Sequence, residues 1–185
     1  LFIISFMDQN KVFFEEFKKT QVYAKLQQNP IAYFCAEYAL TSEIPIYAGG
    51  LGVLAADYLK EARDKKIPLV AIGMYYNDGY QTLHRLDPKG FILAPHVHTS
   101  PEEYGLSKVI DSQNLPVVIE VPIQDRNVKV SAWKWNFGTI PVYLLTTDVE
   151  GNSESDKKIT DHLYVIDKET RLIQNVILGI GGSRL

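Results

Sequence analysis

The chain has 185 residues, 46% apolar and 22% charged, with a formal net charge of −3. These fractions belong to a globular protein with enough chain for a buried core, and they exclude a disordered or collagen-like polypeptide. The mild negative charge, with acidic and basic residues interspersed, argues against non-specific nucleic-acid binding, which needs a basic face.

The opening run Leu-Phe-Ile-Ile-Ser-Phe is too short to span a membrane, and it lacks the basic region and cleavage site of a signal peptide. No membrane partner is expected. Both ends read as cuts through a larger protein. Residue 1 is a Leu inside an apolar run, and Ile180-Gly181-Gly182-Ser183-Arg184-Leu185 follows a helical pattern and then stops. Cys35 is the single cysteine, so no internal disulfide can form and a reducing compartment is expected.

Residues 11–28 read as one helix, with Phe13, Phe17 and Val22 near one face and Glu15, Glu16, Lys18 and Lys19 between them. Asn29-Pro30 ends it, because the residue before proline disfavours the helical region. This divides the chain into a helical segment over 1–30 and a main body over 31–185. Ile31–Cys35 has strand length. Glu37 and the polar loop Thr41-Ser42-Glu43 follow.

Pro45-Ile46-Tyr47-Ala48 leads into Gly49-Gly50-Leu51-Gly52, then into a helix over 53–66 with basic residues at its C-terminal end. Ile67–Met74 is a near-continuous apolar run, as in a buried parallel strand. Loop, helix and strand together predict part of an α/β unit. Residues 77–114 are rich in turn signals. Leu115–Ile123, Val128–Phe137 and Ile140–Thr146 predict an antiparallel meander of three strands, with turns at 124–127 and 138–139. Residues 155–180 predict one long helix or two, stopped by Gly179 and Gly181-Gly182.

The glycine loop at 49–52 is the sharpest chemical signal. A helix that starts right after glycines points free N–H groups and the positive end of its dipole at an anion. The spacing matches neither the dinucleotide-binding fingerprint nor a phosphate-binding P-loop. A tight turn between strand and helix therefore stands beside the anion reading.

Taken in order, the motifs resemble one family. They are Ile31–Leu40, Ile44–Asp57, Pro68–Tyr76, Gly79-Tyr80, Val142–Asp148, Asn152-Ser153, Glu169–Gln174 and Leu178–Gly182. Together they resemble the alpha-glucan phosphorylases of the glycogen phosphorylase family. The match covers about residues 31–182, with 84–114 poorly matched, and Val53 follows the bacterial and archaeal form. The resemblance implies an incomplete Rossmann-like N-terminal lobe of a GT-B fold, carrying a β-meander, with the C-terminal lobe absent. It implies phosphorolysis of terminal α-1,4 glucosyl units by inorganic phosphate to give glucose 1-phosphate. It implies pyridoxal phosphate as cofactor of the parent enzyme, held by a lysine outside this chain, so that the chain alone should be inactive. By this resemblance Glu37 is the acidic residue at the active site. Gly49, Gly50, Leu51 and Gly52 line it, and Tyr38 and Tyr76 stand near the cofactor or sugar pocket. The implied partners are an alpha-glucan and phosphate in the cytoplasm, with a homo-oligomer left open. On this reading Gly52→Val should abolish activity and leave the fold largely intact.

Several residues depart from the family pattern or have plainer readings. Val165-Ile166-Asp167 stands where the family has Gly-Gly-Asp, and Asn175 where it has Glu, as in a divergent or decaying copy. A nucleotide-sugar glucosyltransferase of the glycogen-synthase kind is the alternative, but such enzymes place Lys before the loop, where Tyr47-Ala48 stands here. A non-catalytic remnant is a further alternative. Glu37 can equally be a strand-end carboxylate that caps a loop. His96-Val97-His98 has metal-ligand spacing but no second cluster, and no metal is expected. His84 and His162 read as surface or locally bonded residues, and Cys35 as a small buried apolar residue. Asp57 and Asp64 read as solvated or paired. Trp133 and Trp135 lie on one face of the second β run, packed or stacking on sugar. Arg171 is either a site residue or part of a helix-surface salt bridge.

Overall fold

A computed structural model describes residues 11–79, 85–86, 88–89, 92–93 and 100–185. The opening apolar run, Tyr80, His84 and the pair His96 and His98 lie outside the described residues. The expected single helix over 11–28 is two. Residues 11–17 are helical, and α1 runs Gln21–Gln28. Thr20 breaks them. Its Oγ1 accepts from Tyr23 N at 3.2 Å and donates to Phe17 O at 2.7 Å. A threonine satisfies backbone groups better as a cap than inside a helix. The Tyr23 hydroxyl donates to Lys66 O at 2.6 Å, tying α1 to the body of the chain.

The strands in chain order are β1 Ile31–Phe34, β2 Leu69–Met74, β3 Arg85–Leu86, β4 Ile92–Leu93, β5 Ser107–Lys108, β6 Ile119–Ile123, β7 Arg126–Phe137 and β8 Ile140–Thr146. One mixed sheet runs β1-β2-β8-β7-β5, with β6 also on β7, while β3 and β4 form a separate ladder. β1 and β2 are parallel, Ile31 opposite Leu69, and helix α2, Gly50–Asp64, connects them. β2 is also parallel to β8, with Ala71 opposite Val142. The apolar run of β2 is thus a central strand between two parallel neighbours, as its composition predicts. The meander β6-β7-β8 is antiparallel, as expected. The first turn is tighter than expected, because β7 resumes at Arg126 and is 12 residues long. The class is α/β with a mixed sheet.

Of the one long helix or two expected over 155–180, the structure has separate helices with an irregular stretch between them. A short helix α3, Glu154–Lys157, and a 3-10 turn, Lys158–Thr160, precede an irregular stretch over 161–167. Helix α4, Lys168–Val176, then starts at Asp167, whose carboxylate accepts from Thr170 N at 2.7 Å. Ile166 is 98% exposed, so the apolar spacing that suggested continuity did not mark one face. Gly181 and Gly182 do not stop the helix, which widens into a π turn and stays helical to Arg184. A Cβ on Gly182 would lie 2.5 Å from Ile72 Cγ2 and 2.6 Å from Phe34 Cε1. This glycine lets the helix close on β1 and β2.

Polar side chains fix the stretch that leads to α4. Asn152 accepts from Lys129 N and donates to Lys129 O and Thr147 O, holding the loop after β8 against β7. Asp156 pairs with Arg126 at 2.9 Å, and that guanidinium holds its carboxyl below the usual carboxylate range. Gln174 is buried and donates to Ile159 O at 2.7 Å and His162 O at 3.0 Å. Asn77 N donates to Thr160 O, Asp78 N to Asp161 O and Leu163 N to Gly79 O, so residues 160–163 run beside 77–79. Asp57 pairs with Lys60 and Asp64 with Arg63, as anticipated.

In the sheet centre a Cβ on Gly73 would lie 2.9 Å from Tyr38 Cε2 and 3.1 Å from Leu144 Cδ2. Gly73→Ala should lower stability by ~1–3 kcal/mol and the melting temperature by ~2–12 °C, read by urea and thermal unfolding.

Candidate functional site

The site grows from the end of β1. Ile31 N and Cys35 N donate to Pro68 O and Ile72 O, so β1 stays bonded to the β2 strand register as far as Cys35. Two residues later Glu37 enters the interior and is 1% exposed. A buried carboxylate must find donors for both oxygens. Oε2 accepts from Ala48 N at 2.7 Å and Gly49 N at 3.2 Å. Oε1 accepts from the Tyr164 hydroxyl. The capping reading of Glu37 is therefore what the geometry shows.

Gly49 is the N-cap of α2, and the helix begins at Gly50, three residues before the expected start at Val53. The first N–H groups of a helix have no partner within it. Here the carboxylate of Glu37 already occupies the amides of Ala48 and Gly49, so the donors left for a ligand begin at Gly50. The glycines differ in role. A Cβ on Gly49 or Gly50 would meet nothing within 4 Å, whereas one on Gly52 would lie 2.7 Å from Tyr47 Cβ and 3.0 Å from Glu37 Oε2. Gly52 is buried, and Ala39 N donates to its carbonyl at 2.9 Å. The expectation that Gly52→Val would spare the fold is therefore reversed, since a side chain there displaces Glu37 and Tyr47. Gly49, Gly50 and Leu51 form the exposed part of the loop.

The two tyrosines are interior residues. Tyr38 is 1% exposed, and its hydroxyl donates to Tyr33 O at 2.7 Å and Ile72 O at 3.2 Å. It packs on Gly73 and holds β1 to β2. The Tyr76 hydroxyl donates to Ala36 O at 2.9 Å. Burial pushes both phenols well above their ordinary range, so both remain protonated donors. Tyr76 borders a hollow of about 80 Å³ that also includes Tyr164, Arg171, Gln174 and Leu178. The structure thus brings Tyr76, Glu37 and Arg171 into one neighbourhood and leaves Tyr38 behind the sheet register. Trp133 is half-buried beside Tyr75, with Lys108 over its ring, and Trp135 lies against Phe137, so both are packed on neighbours. Cys35 is buried, as expected, and burial raises its thiol pKa. His162 lies 3.5 Å from Asp78, a local pairing. Among the described residues no group of three or more His, Cys, Asp or Glu could hold a metal ion, and no helix is long and apolar enough to cross a membrane.

Tyr164 carries no motif signal and was absent from the sequence expectations. Its left-handed backbone, φ 58°, is not legible in a tyrosine. It joins a larger open hollow of about 500 Å³, lined mainly by residues 162–167 with Gly79, Lys158 and Thr170.

No protein-family model matches the chain. It is 42% identical over 158 residues, 85% of its length, to a maltodextrin phosphorylase of Thermococcus litoralis. It is 34% identical over 174 residues, 94% of its length, to a glycogen phosphorylase of Mycobacterium tuberculosis, and 36% identical over 159 residues, 86% of its length, to one of Aquifex aeolicus. These matches cover 19%, 20% and 23% of the relatives, so the chain spans about a fifth of their length. The resemblance to the alpha-glucan phosphorylases holds across most of the chain.

Two outcomes follow. Gly52→Ala should cost ~1–3 kcal/mol by crowding Glu37 and Tyr47, while Gly50→Ala, in open space at a helical position, should be neutral or stabilising by up to ~1 kcal/mol; thermal melts compare them. The bond to Glu37, ahead of burial, pushes the Tyr164 phenol up to about 12 from 10.0. A raised phenol pKa makes the folded state hold its proton more tightly than the unfolded state. Its stabilisation is therefore complete below pH 10.0 and is lost as pH rises towards about 12, and Tyr164→Phe should remove that alkaline loss in pH-dependent unfolding.

Proposed function

We propose that this chain forms part of the N-terminal lobe of a GT-B alpha-glucan phosphorylase, building on its similarity to the maltodextrin and glycogen phosphorylases. The observation that carries the proposal is 42% identity over 85% of the chain to a maltodextrin phosphorylase. The glycine loop at the start of α2 supports it from the side of chemistry. The parent enzyme would transfer a terminal α-1,4 glucosyl unit from an alpha-glucan to inorganic phosphate, giving glucose 1-phosphate. It would work in the cytoplasm, and a homo-oligomer is compatible with the reading.

The residues of this chain have definite tasks in such a reaction. Cleavage of a glycosidic bond passes through an oxocarbenium-like state, beside which phosphate carries negative charge. Backbone N–H groups fixed in advance stabilise that charge without reorganising. Gly50 and Leu51 supply these donors, and the empty space at Gly49 and Gly50 lets a phosphate or sugar oxygen come close to the backbone. Gly52 contributes by its missing side chain, which lets the loop close on Glu37. Glu37 holds the loop by accepting from the amides of Ala48 and Gly49. Tyr76 lines the adjoining hollow. Tyr38 acts one layer further in, as a strut between strands.

Pyridoxal phosphate, when bound in the parent enzyme, would supply a phosphate group beside the substrate phosphate. The open backbone at Gly49 and Gly50 fits the approach of phosphate groups, and no lysine of this chain is assigned to holding the cofactor. The synthase alternative is disfavoured by Ala48, which offers only its backbone amide, already bonded to Glu37.

A polypeptide that extends this chain to the length of its relatives should bind pyridoxal phosphate, seen by absorbance, and release glucose 1-phosphate from maltodextrin only when phosphate is added. The 185-residue chain alone should do neither. Absence of both in the extended polypeptide would overturn the reading in favour of a non-catalytic remnant.

A further inference from the structure

Among the partners of Glu37, Tyr164 is the one that the proposed chemistry leaves without a task. The residue is 44% exposed, yet its hydroxyl reaches inward to the buried Glu37 Oε1. Its backbone sits in the left-handed region at φ 58°, a conformation that costs a residue with a Cβ free energy. Surrounding bonds impose it. Residues 160–163 are held by the backbone of 77–79, by Asn77 Nδ2 on Asp161 Oδ1 at 3.0 Å and by Gln174 on His162 O. Asp167 then caps α4. Tyr164 lies between two fixed points, and its ring is aimed at the carboxylate from 127 positions away in sequence.

A carboxylate with one oxygen bonded and one unsatisfied in a buried setting turns towards another donor. Turning Glu37 would take Oε2 off Ala48 N and Gly49 N, the two amides that lead into α2. With the Tyr164 hydroxyl on Oε1, both oxygens are committed and the carboxylate cannot turn. The chain before α2 is then held, and the amides of Gly50 and Leu51 keep one direction.

We propose that Tyr164 is a positioning residue, which fixes the glycine loop through Glu37 so that the open amides of Gly50 and Leu51 present one geometry to a phosphate oxygen. The last clause rests on the phosphorylase-type reading above, whereas the fixing of the loop stands on the hydrogen bonds alone. The bond to Glu37 pushes the phenol up to about 12, so it keeps its proton across the neutral range.

The test is amide hydrogen exchange on the 15N-labelled chain, wild type against Tyr164→Phe, followed by titration with inorganic phosphate. Loss of the hydroxyl should speed exchange at Ala48 and Gly49 at least ~10-fold while Ala71–Met74 keep their protection, because the opening is local. Phosphate should shift the Gly50 and Leu51 amides in the wild type and bind ~3–10-fold more weakly to the variant. Unchanged exchange at Ala48 and Gly49 would overturn the proposal. So would equal acceleration at Ala71–Met74, which would make Tyr164 a general stabiliser. Faster exchange at Ala48 and Gly49 with no response to phosphate in the wild type would uphold the fixing of the loop and count against the phosphate reading instead.

Discussion

A carboxylate withdrawn from water has to be satisfied on both oxygens, and Glu37 achieves this with donors from two other stretches of chain. It follows β1, it receives the two amides that precede α2, and it receives the hydroxyl of Tyr164 from the stretch before α4. A single unmet oxygen at this depth costs about 1–3 kcal/mol. That is a large part of the ~5–15 kcal/mol by which domains are stable. The three elements must therefore meet in register. β1 sets the depth of Glu37 through its bonds to β2, and the absence of a side chain on Gly52 lets α2 approach. The knot of Gln174, Asn77 and Asp161 delivers Tyr164. Changes at any of these positions act on the same carboxylate, so their effects should not add independently.

Much of this frame is written in the sequence in physical terms. The apolar run of β2 has no polar face, so it reads as a strand buried on both sides, and it is the centre of the sheet. The alternation through 119–146, broken by short turn signals, gives the meander. The glycine cluster before an amphipathic stretch locates the loop, and the ordered motifs lead to the phosphorylases. The helix boundaries were less legible. Thr20 breaks the first helix because its hydroxyl caps, a choice that depends on where the next turn can pack. Ile159, Leu163 and Ile166 have helical spacing, but the chain between them is tied to residues 77–79, and that tie is invisible locally.

The neighbourhood of Glu37 was legible in part, and the role of each residue in it was not. Glu37, Gly49, Gly50 and Gly52 were named together, and the structure brings them together. That Gly52 is interior and Gly49 open depends on the direction of two bonds at each Cα, which composition does not encode. The family resemblance placed Tyr38 near the cofactor or sugar pocket. Tyr38 lies past the end of β1, and its buried phenol packs on Gly73 in the sheet centre. Tyr164 was missed because a contact across 127 positions leaves no pattern in a single chain.

Among the described residues β1 is bonded on one side only. Ile31, at its start, and Cys35, just past its end, donate inward to the β2 stretch, so the backbone groups of Ala32 and Phe34 line the opposite edge, where the topology of the described residues shows no further strand. Ile31 and Phe34 are themselves partly exposed, and the strand Ile-Ala-Tyr-Phe carries no charge. Proteins usually blunt such an edge with lysine, a bulge or a covering element. Pro30 limits it at one end, but the remaining groups offer a template to any extended segment that reaches them. The strand that carries Glu37 to the interior is thus also an open sheet edge among the described residues, the kind of surface on which an extended segment can add a strand.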